Sequence, residues 1–171
     1  MTTDRFLVII RGAPSSGKTT IAKRLRSFKQ KVVWLKVDNF KDFFSGEATL
    51  QKQKYVDECA LATLTYLLDS GFSVVIDKIF FDPRIISVSV EIAKERNIKV
   101  KVFQIKCSLS VLQERDRNRP GVKEGCRKPL GDETITKIYN QLEKTFIPDS
   151  IVLDTEKMSV EECITKITNS L

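Results

Sequence analysis

Residues 12–19 read Gly12-Ala13-Pro14-Ser15-Ser16-Gly17-Lys18-Thr19, a complete GxxxxGK[ST] motif. It constrains the fold more than any other stretch, because it needs a strand leading in and a helix leading out. The sequence supplies both. Residues 6–11 (FLVIIR) are a compact apolar run of the kind found in a buried parallel strand. Residues 18–28 then carry Ile21, Ala22 and Leu25 at helical spacing. In that setting the glycines let backbone N–H groups turn toward anionic oxygens, and the helix N-terminus adds its dipole. The segment Gly12, Ala13, Pro14, Ser15, Ser16, Gly17, Lys18, Thr19 and Thr20 is therefore the expected cradle for nucleotide phosphates. Lys18 would face the β- and γ-phosphates, and the Thr19 hydroxyl would ligate Mg²⁺.

The rest of the chain alternates short β-branched runs with longer amphipathic segments. Strands are expected at 32–37 (VVWLKV), 73–77 (SVVID), 99–106 (KVKVFQIK) and 150–153 (SIVL). A long helix over about 48–69 has Val56, Cys59, Ala60, Thr63, Leu64, Leu67 and Leu68 on one stripe and stops at Gly71. Asp82 and Pro83 read as an N-cap and first helical residue for a helix to about Asn97. Further helices are expected at 109–118, 132–145, and from Ser159, where Glu162 completes a capping box. Between them, 119–131 is basic and punctuated by Pro120, Gly121, Gly125, Pro129 and Gly131, as a mobile closing segment would be. The prediction is one α/β domain over 1–171: a three-layer P-loop NTPase fold with a five-stranded parallel sheet, flanking helices and a basic lid at about 109–131. Ligands on such sheets bind at the carboxyl ends of the strands, where the candidate residues below all fall.

Composition narrows the chemistry. The chain has no histidine, which excludes Ser-His-Asp hydrolysis, a Cys-His pair and any zinc site with an imidazole ligand. Acid–base work falls to carboxylates, lysines or tyrosines. Cys59, Cys107, Cys126 and Cys163 are scattered without a CxxC pair, the pattern of reduced thiols in a cytoplasmic protein. No apolar run approaches the ~20 residues of a membrane span, and the N-terminal run lacks a cleavage site. A net charge of +7 permits an anionic partner, nucleic acid included, without identifying one.

Asp77 closes Val74-Val75-Ile76-Asp77, the shape of a Walker-B strand, and is the expected carboxylate beside Thr19 for the metal. Asp38 ends the second strand in VDNF, where it could take a proton from an acceptor hydroxyl or simply cap a short helix over 39–44. Arg115 and Arg119 lie four apart and are expected to share one helix face above the nucleotide, with Arg117 pointing elsewhere. Phe40 and Arg84 are candidates for contact with an acceptor bound near Asp38.

These residues in this order resemble the small P-loop kinases that include chloramphenicol phosphotransferase, zeta toxins and the kinase domain of polynucleotide 5′-hydroxyl kinases. The resemblance runs from the P-loop through VDNF at 37–40 and VVIDKIF at 74–80 to the arginine-bearing helix and Val152-Leu153-Asp154-Thr155. The segment Lys106-Cys107-Ser108 and the SVEEC ending at Cys163 look most like chloramphenicol phosphotransferase or adenylylsulfate kinase. Adenylylsulfate kinases carry KGLY after the lid arginine; here the chain reads NRPGV. The resemblance implies ATP as the nucleotide, Asp38 as catalytic base, and lid arginines that contact ATP phosphates. The expected activity is phosphoryl transfer to a hydroxyl of a small-molecule, nucleotide-like or 5′-hydroxyl nucleic-acid acceptor. The alternatives are a hydrolytic NTPase, for which no NKxD-like base-reading motif is present, and a nucleotide-binding regulatory module.

Overall fold

The computed structural model describes residues 5–46, 50–120, 128–145 and 147–171. Five strands, β1 (Phe6–Gly12), β2 (Val32–Lys36), β3 (Ser73–Lys78), β4 (Lys99–Lys106) and β5 (Ile151–Asp154), form one sheet. Its order is β2-β3-β1-β4-β5 and every pairing is parallel. Six α-helices cover it: α1 (Lys18–Arg26), α2 (Leu50–Asp69), α3 (Arg84–Lys94), α4 (Leu109–Arg117), α5 (Asp132–Glu143) and α6 (Val160–Thr168).

The central strand explains the layering. All seven residues of β1 are buried, and their side chains alternate between the two faces. Leu7 and Ile9 pack with Val74, Ile76, Val56, Leu64 and Ala93 under α2 and α3, whereas Phe6, Val8 and Ile10 pack with Ile21, Leu25, Phe103 and Cys163 under α1 and α6. A third cluster, Ala13, Cys107, Leu112, Ile135 and Leu142, joins the phosphate-binding loop to α4 and α5. An apolar run this unbroken suits a central strand, buried by helices on both faces and paired on both edges.

The predicted elements are present, with displaced ends. The Ser159–Glu162 capping box forms: Glu162 N donates to Ser159 Oγ at 3.2 Å and Ser159 N to Glu162 Oε2 at 2.7 Å. Asp82, one residue before the N-cap Pro83 of α3, accepts from Arg84 N at 2.9 Å, so the expected cap is displaced by one residue. That helix stops at Lys94, not near Asn97, because Asn97 turns left-handed (φ 53°) and Ile98 N bonds back to Ala93 O at 3.0 Å. The second strand ends at Lys36, and Val37–Phe43 forms a 3-10 helix, so Asp38 sits inside that helix and not at a strand end. The helix α4 ends at Arg117 with Asn118 as its C-cap; Arg119 lies beyond it and does not share a helix face with Arg115. Of the predicted lid, 121–127, including Lys123 and Arg127, falls outside the described residues, as do 48–49 at the expected start of α2.

Gly12 is the close-packed point where β1 becomes the loop. A Cβ there would lie 2.7 Å from Ile105 O and 3.0 Å from Ser16 Oγ. A backbone carbonyl inside the sheet cannot yield as a flexible side chain would. Gly12→Ala should therefore lower stability by about 1–3 kcal/mol, measured by urea unfolding; unchanged stability would refute this packing.

Candidate phosphate-binding and transfer site

The site begins where β1 hands its backbone to α1. Ser15 (φ 64°) and Gly17 (φ 92°) both take left-handed conformations, which curl the loop over the start of α1. Gly17 stands at the N-cap with no side-chain cap, so the first N–H groups of α1 have no side-chain oxygen at that position and are oriented as an anion site requires. Within the curl, Lys18 Nζ donates to Ala13 O at 2.6 Å. Pro14 and Ser16 are buried, Ser15 and Thr19 half-buried, and Thr20 is exposed on α1.

Lys18 is 8% exposed. Burial pushes its ammonium down to about 8, partly opposed by the charges of Asp77 and Asp38, while Arg119 lowers it further. Four predicted residues thus act on one another here: two carboxylates and a guanidinium converge electrostatically on the loop lysine.

Asp77, at the carboxyl end of β3, accepts from Thr19 Oγ1 at 3.0 Å through Oδ2 and from Trp34 Nε1 at 2.6 Å through Oδ1. The indole fixes one carboxylate oxygen and leaves the other on the threonine hydroxyl. This pair of hard oxygen donors fits Mg²⁺ completed by phosphate oxygens and water. Among the described residues no cluster of three or more His, Cys, Asp or Glu could hold a metal by itself, so an ion here would be shared with the nucleotide. Asp38 is bound by Lys41 at 2.6 Å, one turn further along the 3-10 helix. Phe40 is half-buried against the core and meets Phe43 edge-on at 5.6 Å.

The arginines separate. Arg119 donates to Ser15 Oγ from Nη2 at 2.7 Å and from Nε at 3.2 Å, so it lies directly on the loop. Arg115 turns to the end of β5, donating to Thr155 O at 2.7 Å and Thr155 Oγ1 at 3.2 Å. Thr155 Oγ1 in turn donates to Ser16 O at 3.0 Å, so Arg115 reaches the loop only through that threonine. Arg117 pairs with Asp132 at 2.6 Å on the surface. Arg84 is exposed and engaged by Asp82 at 2.7 Å.

Sequence reasoning overlooked Asp116. Its side chain is fully buried, and it accepts from Ser15 Oγ (3.3 Å), Leu130 N (2.7 Å) and Gly131 N (3.0 Å) while pairing with Arg119 (3.0 Å). One carboxylate ties α4 to the loop and to the start of α5. The available signal was its place four residues after Leu112, a charge on the buried stripe of an amphipathic helix. A second buried pair, Lys78 at the end of β3 with Asp57 of α2, was also missed; Gln53 Nε2 donates to the same aspartate at 3.1 Å.

The lowered Lys18 value makes a pH prediction. A bound polyphosphate stabilises the ammonium form, so binding raises the value and takes up a proton wherever the free site is partly neutral. ATP affinity should fall by up to about tenfold per pH unit above pH ~8, with uptake approaching one proton. Calorimetric titration in buffers of different ionisation enthalpy measures this; pH-independent affinity from 7 to about 9.5 would contradict it. Lys18→Met should abolish the uptake.

Comparison with known proteins agrees with the geometry. A family model described as AAA domain matches residues 7–144. No curated protein gives a significant match. Among solved structures, a sugar kinase from Janibacter sp. superposes with TM-score 0.71 at 19% identity, covering 96% of this chain and 93% of that one. The Mycobacterium tuberculosis APS kinase CysC gives 0.63 at 14% identity, covering 98% and 96%. A chain of the Pnkp1/Rnl/Hen1 RNA repair complex gives 0.65 at 23% identity, covering 87% of this chain and 50% of that one. The five-stranded parallel sheet flanked by helices is the fold shared with these structures, and by the extent of the family match the chain belongs to the AAA-domain family.

Proposed function

We propose that the protein is an ATP-dependent kinase that transfers the γ-phosphate to a hydroxyl, with Asp38 as general base. The observation that carries this reading is the loop site itself: Lys18 folded onto Ala13 O, Thr19 on Asp77 and Arg119 on Ser15, with the charge of Asp38 also acting on the buried Lys18. A nucleotide-binding module needs the lysine and the loop. A second carboxylate close enough to act on that lysine is what proton abstraction at an acceptor would require.

In this reading the loop backbone and Lys18 hold the β- and γ-phosphates, and Arg119 leaves Ser15 to balance charge gathering on the transferred group. Thr19 and Asp77 would hold the Mg²⁺, which would supply charge neutralisation to the phosphates. Asp38 accepts the acceptor's proton as its oxygen bonds to the γ-phosphorus and the bond to ADP breaks. Lys41 orients that carboxylate through their ion pair. Arg115, fastened to Thr155, keeps α4 against the loop as a positioning residue. Phe40, in the 3-10 helix with Asp38, and Arg84, after β3, belong to elements that follow the carboxyl ends of neighbouring strands, where an acceptor would enter.

The acceptor class is a small molecule, a nucleotide-like molecule or a 5′-hydroxyl nucleic acid. The structural neighbours include a sugar kinase, an APS kinase and a member of an RNA repair complex, and the net charge of +7 suits an anionic acceptor.

The test is transfer of labelled γ-phosphate from MgATP to a panel of sugars, nucleosides, nucleotides, adenylylsulfate, chloramphenicol and 5′-hydroxyl RNA and DNA oligonucleotides. Label should move to one acceptor class. Asp38→Ala should lower kcat by roughly 10²–10⁴-fold while ATP affinity changes little. Label released only as free phosphate, equally in the variant, would replace this reading with a hydrolytic NTPase.

A further inference from the structure

Behind the phosphate-binding loop lies a cavity of about 20 Å³, lined among others by Arg11, Gly12, Ser16, Gln104, Tyr139 and Glu143. Arg11 is the penultimate residue of β1 and is fully buried. Its Nε donates to Phe80 O at 3.1 Å and its Nη1 to Thr145 O at 3.3 Å. Phe80 is itself buried and left-handed (φ 53°), a conformation that a bulky side chain rarely takes, so this bond helps hold the turn after β3.

Among the described residues, two buried side-chain polar atoms lack a hydrogen-bond partner: Arg11 Nη2 and Ser16 Oγ. Both residues line this one cavity. A buried guanidinium nitrogen and a buried hydroxyl are each costly to leave unsatisfied, and their occurrence in the same space points to a shared partner. Burial lowers the Arg11 value, and Glu143, which opposes that shift, is also engaged by Lys106 at 3.4 Å. The volume is that of about one water. A water can accept from Arg11 Nη2 and donate to Ser16 Oγ, and Gln104 and Tyr139 bring further polar groups to the lining.

We propose that this cavity is a built site for a single water molecule that bridges Arg11 Nη2 to Ser16 Oγ and thereby couples the end of β1 to the phosphate-binding loop. The bridge fixes Ser16 from behind, as Thr155 fixes it from the side through its carbonyl. The phosphate loop is thus supported on a surface that nucleotide does not touch.

A high-resolution crystal structure of the full chain tests this whether or not the kinase reading holds. The expected result is one spherical density peak within hydrogen-bond distance of both atoms, and no anomalous peak there after a bromide soak. A bromide peak would make the site an anion site, and absent density or a Ser16 Oγ turned onto protein would remove the bridge; either overturns the proposal. Coupling is read from ATP affinity in Ser16→Ala, Arg11→Lys and the double variant. Each single change should weaken Kd by about 3–10-fold, and the double variant should be no weaker than the poorer single one. Multiplicative losses would refute the coupling. If Arg11→Lys fails to fold, the density and Ser16→Ala, expected to lose the water peak, still decide the matter.

Discussion

The bond from the Lys18 ammonium to the Ala13 carbonyl closes the phosphate-binding loop on itself, and much of the site is arranged to make that burial tolerable. An isolated ammonium removed from water tends to lose its proton. Here the carboxylates of Asp77 and Asp38 offset part of the desolvation, and the remainder appears as the lowered value of Lys18. Asp77 comes from the end of β3 and Asp38 from the 3-10 helix that follows β2, so both reach the lysine only if β2, β3 and β1 are adjacent. The observed order β2-β3-β1 supplies that adjacency. Electrostatics in the loop and topology in the sheet are one constraint seen at two scales.

Asp116 plays the same part on the other side of the loop. A fully buried carboxylate is tolerable only with its oxygens occupied, and the hydroxyl of Ser15, two backbone N–H groups and Arg119 occupy them. Since those donors come from the loop, the turn before α5 and the segment just past α4, satisfying one aspartate fixes three segments together. Arg119 thus has two partners: the charged Asp116 anchors it, while Ser15 Oγ is neutral and a phosphoryl oxygen would be a stronger, charged substitute for it. Arg115 has no such freedom, since its partner Thr155 is bonded to the loop backbone.

What was readable in the sequence follows from the range of the forces involved. The sheet was legible because unbroken runs such as FLVIIR and VVID record burial directly, and the capping box because its partners are three residues apart. The phosphate loop was legible because its geometry is local. The arginine pair was misjudged for a local reason as well: the four-residue spacing assumes a helix through Arg119, but Asn118 ends it. Asp38 was expected at a strand end and lies in a 3-10 helix, since nothing in VDNF separates a strand that continues from one that coils. Trp34 and Arg11 were not singled out because their partners lie far along the chain, and Asp116 because, Arg119 apart, its partners come from the loop and the turn before α5. Arg11 in particular reads as the polar end of an apolar run, the usual mark of a strand emerging into solvent, yet it is among the largest fully buried side chains.

That burial of Arg11 bears on how the loop attracts its ligand. Around Lys18 the charges nearly balance: Lys18 and Arg119 face Asp77, Asp38 and Asp116. Such a site alone would offer little net attraction to a triphosphate. Arg11 adds a cation just behind the loop, and among the described residues no carboxylate hydrogen-bonds to it. A fixed charge in a low-dielectric interior projects further than one on the surface and needs no reorganisation when an anion arrives. The site can therefore pair Lys18 and Arg119 with carboxylates, which holds them in place while the loop is empty. The loop dipoles and the buried Arg11 charge behind the loop then add to whatever attraction Lys18 and Arg119 offer an anion.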